Sequence, residues 1–234
     1  MKDREIRAGR TKDIGALLKI FVLALCLMML AGCAPALYSV DMKYVPSRVM
    51  PRIEGTGQII TVTVTAFEDQ RKIEDKMLIG WVVESDGRRI PVLPKFVKPS
   101  MAVTSPLKDF LVRAGYRISP ETPAWDLKEG SIRKEWGSIV IGGSIDELEV
   151  ICRDSLTVKK YSAKAKITAL FANAQTGKIF YKVTTQSAVS LDHVLFSEER
   201  IEQQINAALS DAIEKLFEGK EIAAKIREAA AGKK

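Results

Sequence analysis

Three neighbouring segments decide the fold: SIVIGGSIDELEVI (138–151), LTVKKYSAKAKITALFANA (156–174) and KIFYKVTTQSAV (178–189). Each segment alternates apolar or small residues with polar ones, which is the period of a β-strand that buries one face. Short polar stretches separate the segments, and residues 175–178 have the composition of a turn. We therefore predict three consecutive antiparallel strands, a meander with one face toward solvent.

The alternation in the first segment changes phase once. Ile145 belongs to one phase, whereas Leu148 and Val150 belong to the other. Because one extra residue turns every following side chain to the opposite face, we predict a β-bulge near Asp146. In the third segment the alternation predicts inward-pointing side chains at Ile179, Tyr181 and Val183.

Further strand signals lie upstream of the meander. IITVTVTAF (59–67) alternates apolar and β-branched polar residues. LIGWVVE (78–84) and RIPVL (89–93) flank Asp86 and Gly87, a dipeptide that favours a tight hairpin turn. Because prolines such as Pro91 and Pro94 cannot donate ladder hydrogen bonds, we expect this hairpin to lie at a sheet edge or to project from the body.

Two amphipathic helices complete the predicted domain. Ser105 and Pro106 suit an N-cap and a first helical turn, and Gly115 suits the end of that helix. A second helix begins near Ser197, with an apolar stripe toward the sheet and a polar face toward solvent. The stripe contains Ile201, Ile205, Ala208, Leu209, Ala212, Ile213, Leu216 and Phe217, and the polar face contains Glu202, Gln203, Asn206, Asp211 and Glu214.

The predicted fold class is α+β, an antiparallel sheet of strand, hairpin and three-strand meander with two helices packed on one face. This domain occupies residues 59–218. Residues 33–58 hold several prolines and glycines and few periodic apolar positions, which predicts a flexible tether. Residues 219–234 form an alanine-rich basic tail, predicted as a frayed surface helix whose removal costs little stability.

Residues 1–32 are typical of a lipoprotein signal peptide. A basic segment precedes the apolar run from Ile20 to Leu30, which at 11 residues is much shorter than the ~20 that a spanning helix needs. Leu30, Ala31 and Gly32 then precede Cys33, the pattern at which bacterial signal peptidases cut before a lipid-modified cysteine. We expect Cys33 to carry a diacylglycerol and an N-acyl chain, and we expect no other cofactor.

Such a lipid would hold the mature protein on a membrane, because each buried methylene contributes about 0.8 kcal/mol of membrane affinity. Ala34 follows Cys33, where an aspartate would resemble the inner-membrane retention signal of enteric bacteria. We therefore expect the periplasmic face of the outer membrane rather than the inner membrane.

Composition narrows the classes of partner. Residues 33–234 contain 30 Lys and Arg against 26 Asp and Glu, a net charge of +4 that does not suggest a nucleic-acid-binding protein. Cys26 leaves with the signal peptide and Cys33 is acylated, so Cys152 has no partner for a disulfide. We interpret Cys152 as a small buried residue, with a reactive thiol as the alternative.

The sequence offers little catalytic chemistry. Its single histidine, His193, has no metal-ligand pattern around it, so we expect neither a metal site nor histidine catalysis. Asp146, Glu147 and Glu149 could be imagined as catalytic carboxylates, but strand alternation points Asp146 and Glu147 to opposite faces. We predict no catalytic residues and a protein that is not an enzyme.

A basic stripe is the first candidate binding surface. Lys164, Lys166 and Lys182 lie on neighbouring strands, and together they would attract anionic headgroups or an acidic partner. The alternative is an ordinary solvated sheet face, on which lysines oppose aggregation.

The hairpin region is the second candidate surface. Trp81, Arg88, Arg89 and Phe96 have the composition of a protein interface, and two further tryptophans follow in the irregular segment 119–137. The alternative is that some of these aromatic side chains fill the core.

The order of elements resembles the YajG-type lipoproteins and the wider group of small envelope lipoproteins to which the transport-auxiliary lipoproteins belong. The resemblance spans about residues 30–217, and it implies an α+β domain in the outer membrane without known enzymatic chemistry. It further implies a structural ion pair or turn cap for Asp69 and Arg71. The matching segments are the lipobox, VTVTAFEDQR (62–71), SPLKDFLVRAGYRI (105–118), GKIFYKV (177–183) and ERIEQQINAALSDAIEKLF (199–217).

These observations predict a lipid-anchored, non-enzymatic envelope lipoprotein that acts as a periplasmic protein-interaction module in cell-envelope maintenance. The alternative is an accessory lipoprotein of a lipid or ABC-type transport system that binds an apolar or anionic lipid. An apolar groove between helix and sheet would favour the alternative. The expected partners are the membrane, through the anchor, an envelope protein and, in the alternative, lipid.

Overall fold

The structure, a computed structural model, describes residues 36–47, 60–155 and 157–231. These residues form one mixed sheet of nine strands and three α-helices, which confirms the α+β class. The strands are β1 (Tyr38–Val40), β2 (Thr61–Val64), β3 (Glu68–Asp69), β4 (Gly80–Val83), β5 (Arg89–Pro94), β6 (Arg117–Ile118), β7 (Ile139–Asp154), β8 (Lys159–Asn173) and β9 (Lys178–His193). The helices are α1 (Pro99–Arg113), α2 (Glu198–Leu216) and α3 (Lys220–Ala230), the last of them in the tail that the sequence predicts as a frayed helix.

The sheet is organised around β7. On one side, β7, β8 and β9 pair in succession as antiparallel strands. On its other side β7 pairs in turn with β2, β3 and β4, all of them parallel to it. These three short strands follow one another in the same direction as β7, so the prediction of a purely antiparallel sheet is wrong.

The hairpin of β4 and β5 turns at Gly87, whose φ of 85° requires the left-handed region. It does not lie at the edge of the sheet as predicted, because β1 pairs in parallel with β5 on the outer side. Tyr38 lies opposite Val92 and Val40 lies opposite Pro94.

Two irregularities set which side chains face the helices. The pairing of β7 with β8 shifts between Ile145 and Glu147, so the predicted bulge is confirmed. A second shift leaves Phe180 without a pairing partner in β8 and turns Ile179 to the opposite face. The prediction that Ile179 points inward with Tyr181 is therefore wrong.

Helix α1 begins at Pro99, not at the predicted Ser105 and Pro106. Pro99 and Pro106 are each compatible with the first turn of a helix, so the sequence offers two possible starts. The helix takes the earlier one, because Ala102 and Val103 are apolar and are buried. Gly115, with a φ of 96°, follows the end of the helix as predicted.

The apolar stripe of α2 packs on the sheet, together with α1 and α3. Ile201, Ile205, Leu209 and Ile213 are all fully buried, as the helical spacing predicts. None of the three helices in the described ranges has the combination of length and apolar composition that crossing a membrane requires.

Residues 37–47 differ from the predicted flexible tether, since they form β1 and then run along α2. Four of their backbone amides donate to α2 side chains at every fourth position, with N···O distances of 2.9–3.0 Å. We call these acceptors the polar stripe of α2. The pairs are Asp41 with Glu202, Lys43 with Asn206, Val45 with Ser210 and Ser47 with Glu214.

The polar stripe is partly buried, so the prediction that this face of α2 points toward solvent is wrong for Asn206 and Glu214. The Asn206 amide also donates to the Asp41 carbonyl at 2.8 Å, and Tyr44 Oη donates to Glu214 at 2.9 Å. Burial, together with this hydrogen bond, raises the pKa of Tyr44 well above its ordinary value. The segment is thereby tied to the helix along its length.

The predicted tail also differs from expectation. Helix α3 buries Ile222 and Ile226, each only 1% exposed, against the main core. Asn173 Nδ2 donates to the Ala229 carbonyl at 2.7 Å, and the Lys225 ammonium lies 4.7 Å from the ring centre of Tyr181. The helix is a packed element, not a frayed one.

A second, smaller core lies on the sheet face opposite the helices. Segment 119–137 places Trp125 and Trp136 against Val140 and Leu170, so both tryptophans fill a core. Gly142 makes this possible, because a Cβ there would lie 2.5 Å from a Trp125 ring carbon. This smaller core covers part of the predicted solvent-facing surface.

Candidate functional site

The uncovered part of this sheet face borders a groove with a volume of about 650 Å³. Its walls are the loop from Gln70 to Ile79 and the adjoining part of the sheet. Apolar, acidic and basic side chains all line it, so it suits a peptide surface better than an acyl chain. The lining includes Lys72, Ile73, Leu78, Trp81, Glu147, Glu149, Lys164 and Lys166.

A buried ion pair holds the loop in place. The Arg71 guanidinium donates two hydrogen bonds to Asp69, Nε to Oδ1 at 2.9 Å and Nη2 to Oδ2 at 2.6 Å. Burial alone would raise the pKa of Asp69, but the hydrogen bonds and charge of Arg71 outweigh it and hold that pKa below its ordinary value. The ion pair that the resemblance implies is therefore present.

The same arginine also joins the loop to β7. Its guanidinium donates to the Leu78 and Lys76 carbonyls, both at 2.7 Å, and to the Leu148 carbonyl at 3.3 Å. Because every one of these acceptors is backbone oxygen, the network fixes the course of the loop and with it one wall of the groove.

The three lysines of the predicted basic stripe share one face but do not form a uniform patch. Lys164 lies directly opposite Glu149 in the ladder, and Lys166 lies opposite Glu147. Lys182 lies opposite Leu170, beside the smaller core and away from the other two. The neighbouring glutamates oppose the attraction of an anionic surface, because opposite charges at this spacing largely cancel.

The residues of the predicted hairpin interface are brought together only in part. The Arg89 guanidinium lies 4.6 Å from the ring centre of Trp81, beside the groove. Arg88 is at the hairpin turn, where it pairs with Glu84 and Asp86, each at 2.6 Å. Phe96 lies beyond the other end of β5, 95% exposed and with a φ of 59°, so it does not join them.

The residues considered for chemistry have ordinary partners. Burial raises the pKa of the Cys152 thiol to about 11, which disfavours the reactive thiolate. Asp146 accepts from the hydroxyls of Ser144 and Thr168, at 2.8 and 2.6 Å. Across the described ranges, no three His, Cys, Asp or Glu side chains are grouped to hold a metal ion. Residues 30–33, the predicted cleavage and lipidation site, lie outside the described residues.

Sequence reasoning missed two surfaces. One is the polar stripe of α2, whose four-residue spacing is visible in the sequence but has the same composition as a solvated helix face. The other is an exposed apolar loop, residues 194–196, between β9 and α2. Three consecutive apolar residues between two predicted elements were a signal that could have identified it.

No protein-family model and no curated protein sequence matches the chain. Among solved structures, a protein from Xanthomonas campestris described by the family model DUF330 is similar, with a TM-score of 0.51 and 10% identity. The match covers 81% of this chain and 98% of that one. At this identity the similarity shows a shared fold and nothing more.

Weaker structural similarities include bacterial lipoproteins. Lipoprotein GNA1162 from Neisseria meningitidis has a TM-score of 0.36 and 11% identity, covering 68% of this chain and 99% of that one. A minor lipoprotein from Acinetobacter baumannii has a TM-score of 0.31 and 15% identity, covering 51% and 80%. Similarities of this size carry no argument about function.

Proposed function

We propose that the chain is a lipid-anchored envelope lipoprotein, akin to the YajG type, at the periplasmic face of the outer membrane. There it acts as a protein-interaction module in cell-envelope maintenance and not as an enzyme. The observation that carries this proposal is the sequence Leu30-Ala31-Gly32-Cys33, which directly follows a short apolar run with basic residues before it.

The packing supports an interaction module over the lipid-binding alternative. A lipid accessory protein needs an apolar groove between helix and sheet, but that space is filled by fully buried side chains such as Leu107, Phe171 and Leu209. The groove on the opposite face is lined by acidic and basic residues together with Trp81 and aliphatic side chains such as Ile73 and Leu78. This mixture is typical of surfaces that contact proteins.

The first test concerns the anchor. Because acylation requires the thiol, Cys33→Ser should abolish incorporation of labelled palmitate, whereas Cys26→Ser, a matched change within the signal peptide, should leave labelling unchanged. Membrane fractionation of both variants measures the consequence. Labelling that persists in Cys33→Ser would contradict the lipoprotein assignment.

The second test concerns the groove. A photoreactive amino acid in place of Lys166, which lines the groove, should crosslink in cells to a discrete envelope protein. The same amino acid in place of Val112, an exposed residue of α1, serves as the control. Crosslinking of Lys166 to lipid instead of protein would favour the transport accessory, and identical products at both positions would contradict a specific site.

A further inference from the structure

Several strand ends meet at one end of the sheet. The register places Val83 of β4 beside Arg153 of β7, Arg153 beside Lys160 of β8, and Lys160 beside Asp192 of β9. The β4–β5 turn, the β7–β8 turn and the loop after β9 therefore lie at the same end. The chain enters β1 from this end too, because β1 runs parallel to β5, and β5 begins at Arg89 directly after the β4–β5 turn.

This end carries several exposed apolar side chains. Val194 and Leu195 are 64% and 69% exposed, and Phe196 beside them is partly exposed. The ring of Phe196 lies 5.2 Å from that of Tyr38, and Leu37, which directly precedes Tyr38 in the chain, is 54% exposed. We call Leu37 and residues 194–196 the apolar end patch.

The backbone under the patch is held firmly. The buried Tyr161 hydroxyl donates to the Leu195 carbonyl at 3.2 Å and accepts from the Ser197 amide at 3.0 Å. The Leu195 amide donates to His193 Nδ1 at 3.1 Å. The Leu195 amide and carbonyl are thus both hydrogen-bonded within the protein, while the Val194 and Leu195 side chains are exposed.

The chain connects this patch closely to the proposed anchor. Four peptide units separate Cys33 from Leu37, so they reach at most about 14 Å. Immediately after β1, residues 41–47 are tied to the polar stripe of α2. The domain therefore has no long tether between a lipid on Cys33 and the apolar end patch.

We propose that the apolar end patch is a membrane-contacting surface, and that Val194, Leu195 and Leu37 enter the lipid layer that holds the acyl chains of Cys33. This inference rests on the proposed lipidation of Cys33. The contact fixes the orientation of the domain, with the strand ends that surround the patch toward the bilayer. Apolar side chains beside a lipid anchor add membrane affinity in proportion to the apolar area that they bury.

The test uses the full lipidated protein in phosphatidylcholine vesicles that contain nitroxide-labelled lipid. An environment-sensitive fluorophore is attached to Leu195→Cys or, as the matched control, to Val112→Cys, whose side chain is 58% exposed on α1. Both positions are exposed enough to accept the change, and thermal unfolding of each variant checks that it folds. Labelled palmitate is measured on the same samples.

We expect the fluorophore at Leu195 to show blue-shifted emission and strong quenching by the nitroxide, and the one at Val112 to show neither. Protein that carries palmitate but leaves both fluorophores in water would overturn the membrane contact while sparing the anchor. Quenching at Leu195 only when phosphatidylglycerol is added, and lost in salt, would also overturn it, because the contact would then be electrostatic. Protein without palmitate would overturn both proposals.

Discussion

The two ends of the domain are attached by opposite chemistry. At the N-terminal end, residues 41–47 lie along α2 and are held by hydrogen bonds from their own backbone to the polar stripe. At the C-terminal end, α3 is held mainly by the burial of Ile222 and Ile226. The sequence predicts both segments as loosely attached, yet both are packed.

The difference teaches which kind of attachment a sequence can reveal. Ile222 and Ile226 lie four residues apart, so the apolar stripe through which α3 packs can be recognised in the sequence. Nothing distinguishes Ser210 or Glu214 from solvated residues until a backbone lies against them. A helix that docks through apolar residues can be predicted from the periodicity of its own sequence. A segment that docks through polar residues cannot, because its partner is remote in sequence.

The largest expected effect comes from removing the apolar attachment. Truncation after Gly219 removes two fully buried isoleucines, and at about 1.5–3 kcal/mol for each the free energy of unfolding should fall by about 3–6 kcal/mol. This replaces the expectation from sequence that the loss would be small. Denaturant midpoints measure it, with truncation after Ala231 as the control. Equal midpoints for the two truncations would show that α3 contributes no stability.

The next largest effect is expected from the apolar stripe of α2, and it gives a reference for the substitutions in the polar stripe of the same helix. Leu209 is fully buried in the centre of the apolar stripe, so Leu209→Ala should lower the free energy of unfolding by about 2–5 kcal/mol through lost burial and a residual cavity. Urea unfolding measures the change. If Leu209→Ala lowered the free energy of unfolding less than a substitution in the polar stripe does, the apolar face of α2 would not be the more stabilising one.

A smaller loss is expected from Glu214, the member of the polar stripe that accepts the most hydrogen bonds. Glu214→Ala leaves the Tyr44 hydroxyl and the Ser47 amide without their acceptor, at a cost of about 1–3 kcal/mol. Hydrogen exchange at Ser47 should accelerate at the same time. Gln203→Ala, an exposed change on the same helix, is the control and should have little effect. Unchanged exchange at Ser47 would contradict the role of this hydrogen bond.

The smallest effect isolates one hydrogen bond. Ser210→Ala removes the acceptor of the Val45 amide and should cost about 0.5–1.5 kcal/mol. Exchange should accelerate at Val45 and remain unchanged at Asp41, whose acceptor is Glu202. Uniform acceleration along the segment would mean that the four hydrogen bonds open together and are not independent.

Periodicity predicted the strands that pair with their neighbours in sequence and the helices with a strong apolar stripe. The bulge near Asp146 and the apolar stripe around Leu209 follow from side-chain phase alone. The parallel strands beside β7 could not be predicted, because short strands such as β3 acquire their pairing only from the long strand that they join.

The candidate site was predicted less well, for a related reason. Lys164 and Lys166 are correctly placed on one face, but their pairing with Glu149 and Glu147 depends on the register, which the bulge shifts by one residue. Arg71 lies among other charged residues in the sequence and becomes a buried junction only where the carbonyls of distant segments converge. Sites of this kind depend on register and chain crossing, which local composition does not contain.

The polar stripe shows how a helix can serve as the edge of a sheet, and it limits how long such an edge can be. Four helical residues advance about 6.0 Å, whereas two extended residues advance about 6.6 Å, so over three steps the two repeats drift apart by about 2 Å. The acceptors run from glutamate through asparagine and serine to glutamate, with the longest side chains at the ends, where the backbones are farther out of step. A designer who wants a helix to capture an extended peptide should therefore grade the lengths of its acceptors and stop at about four.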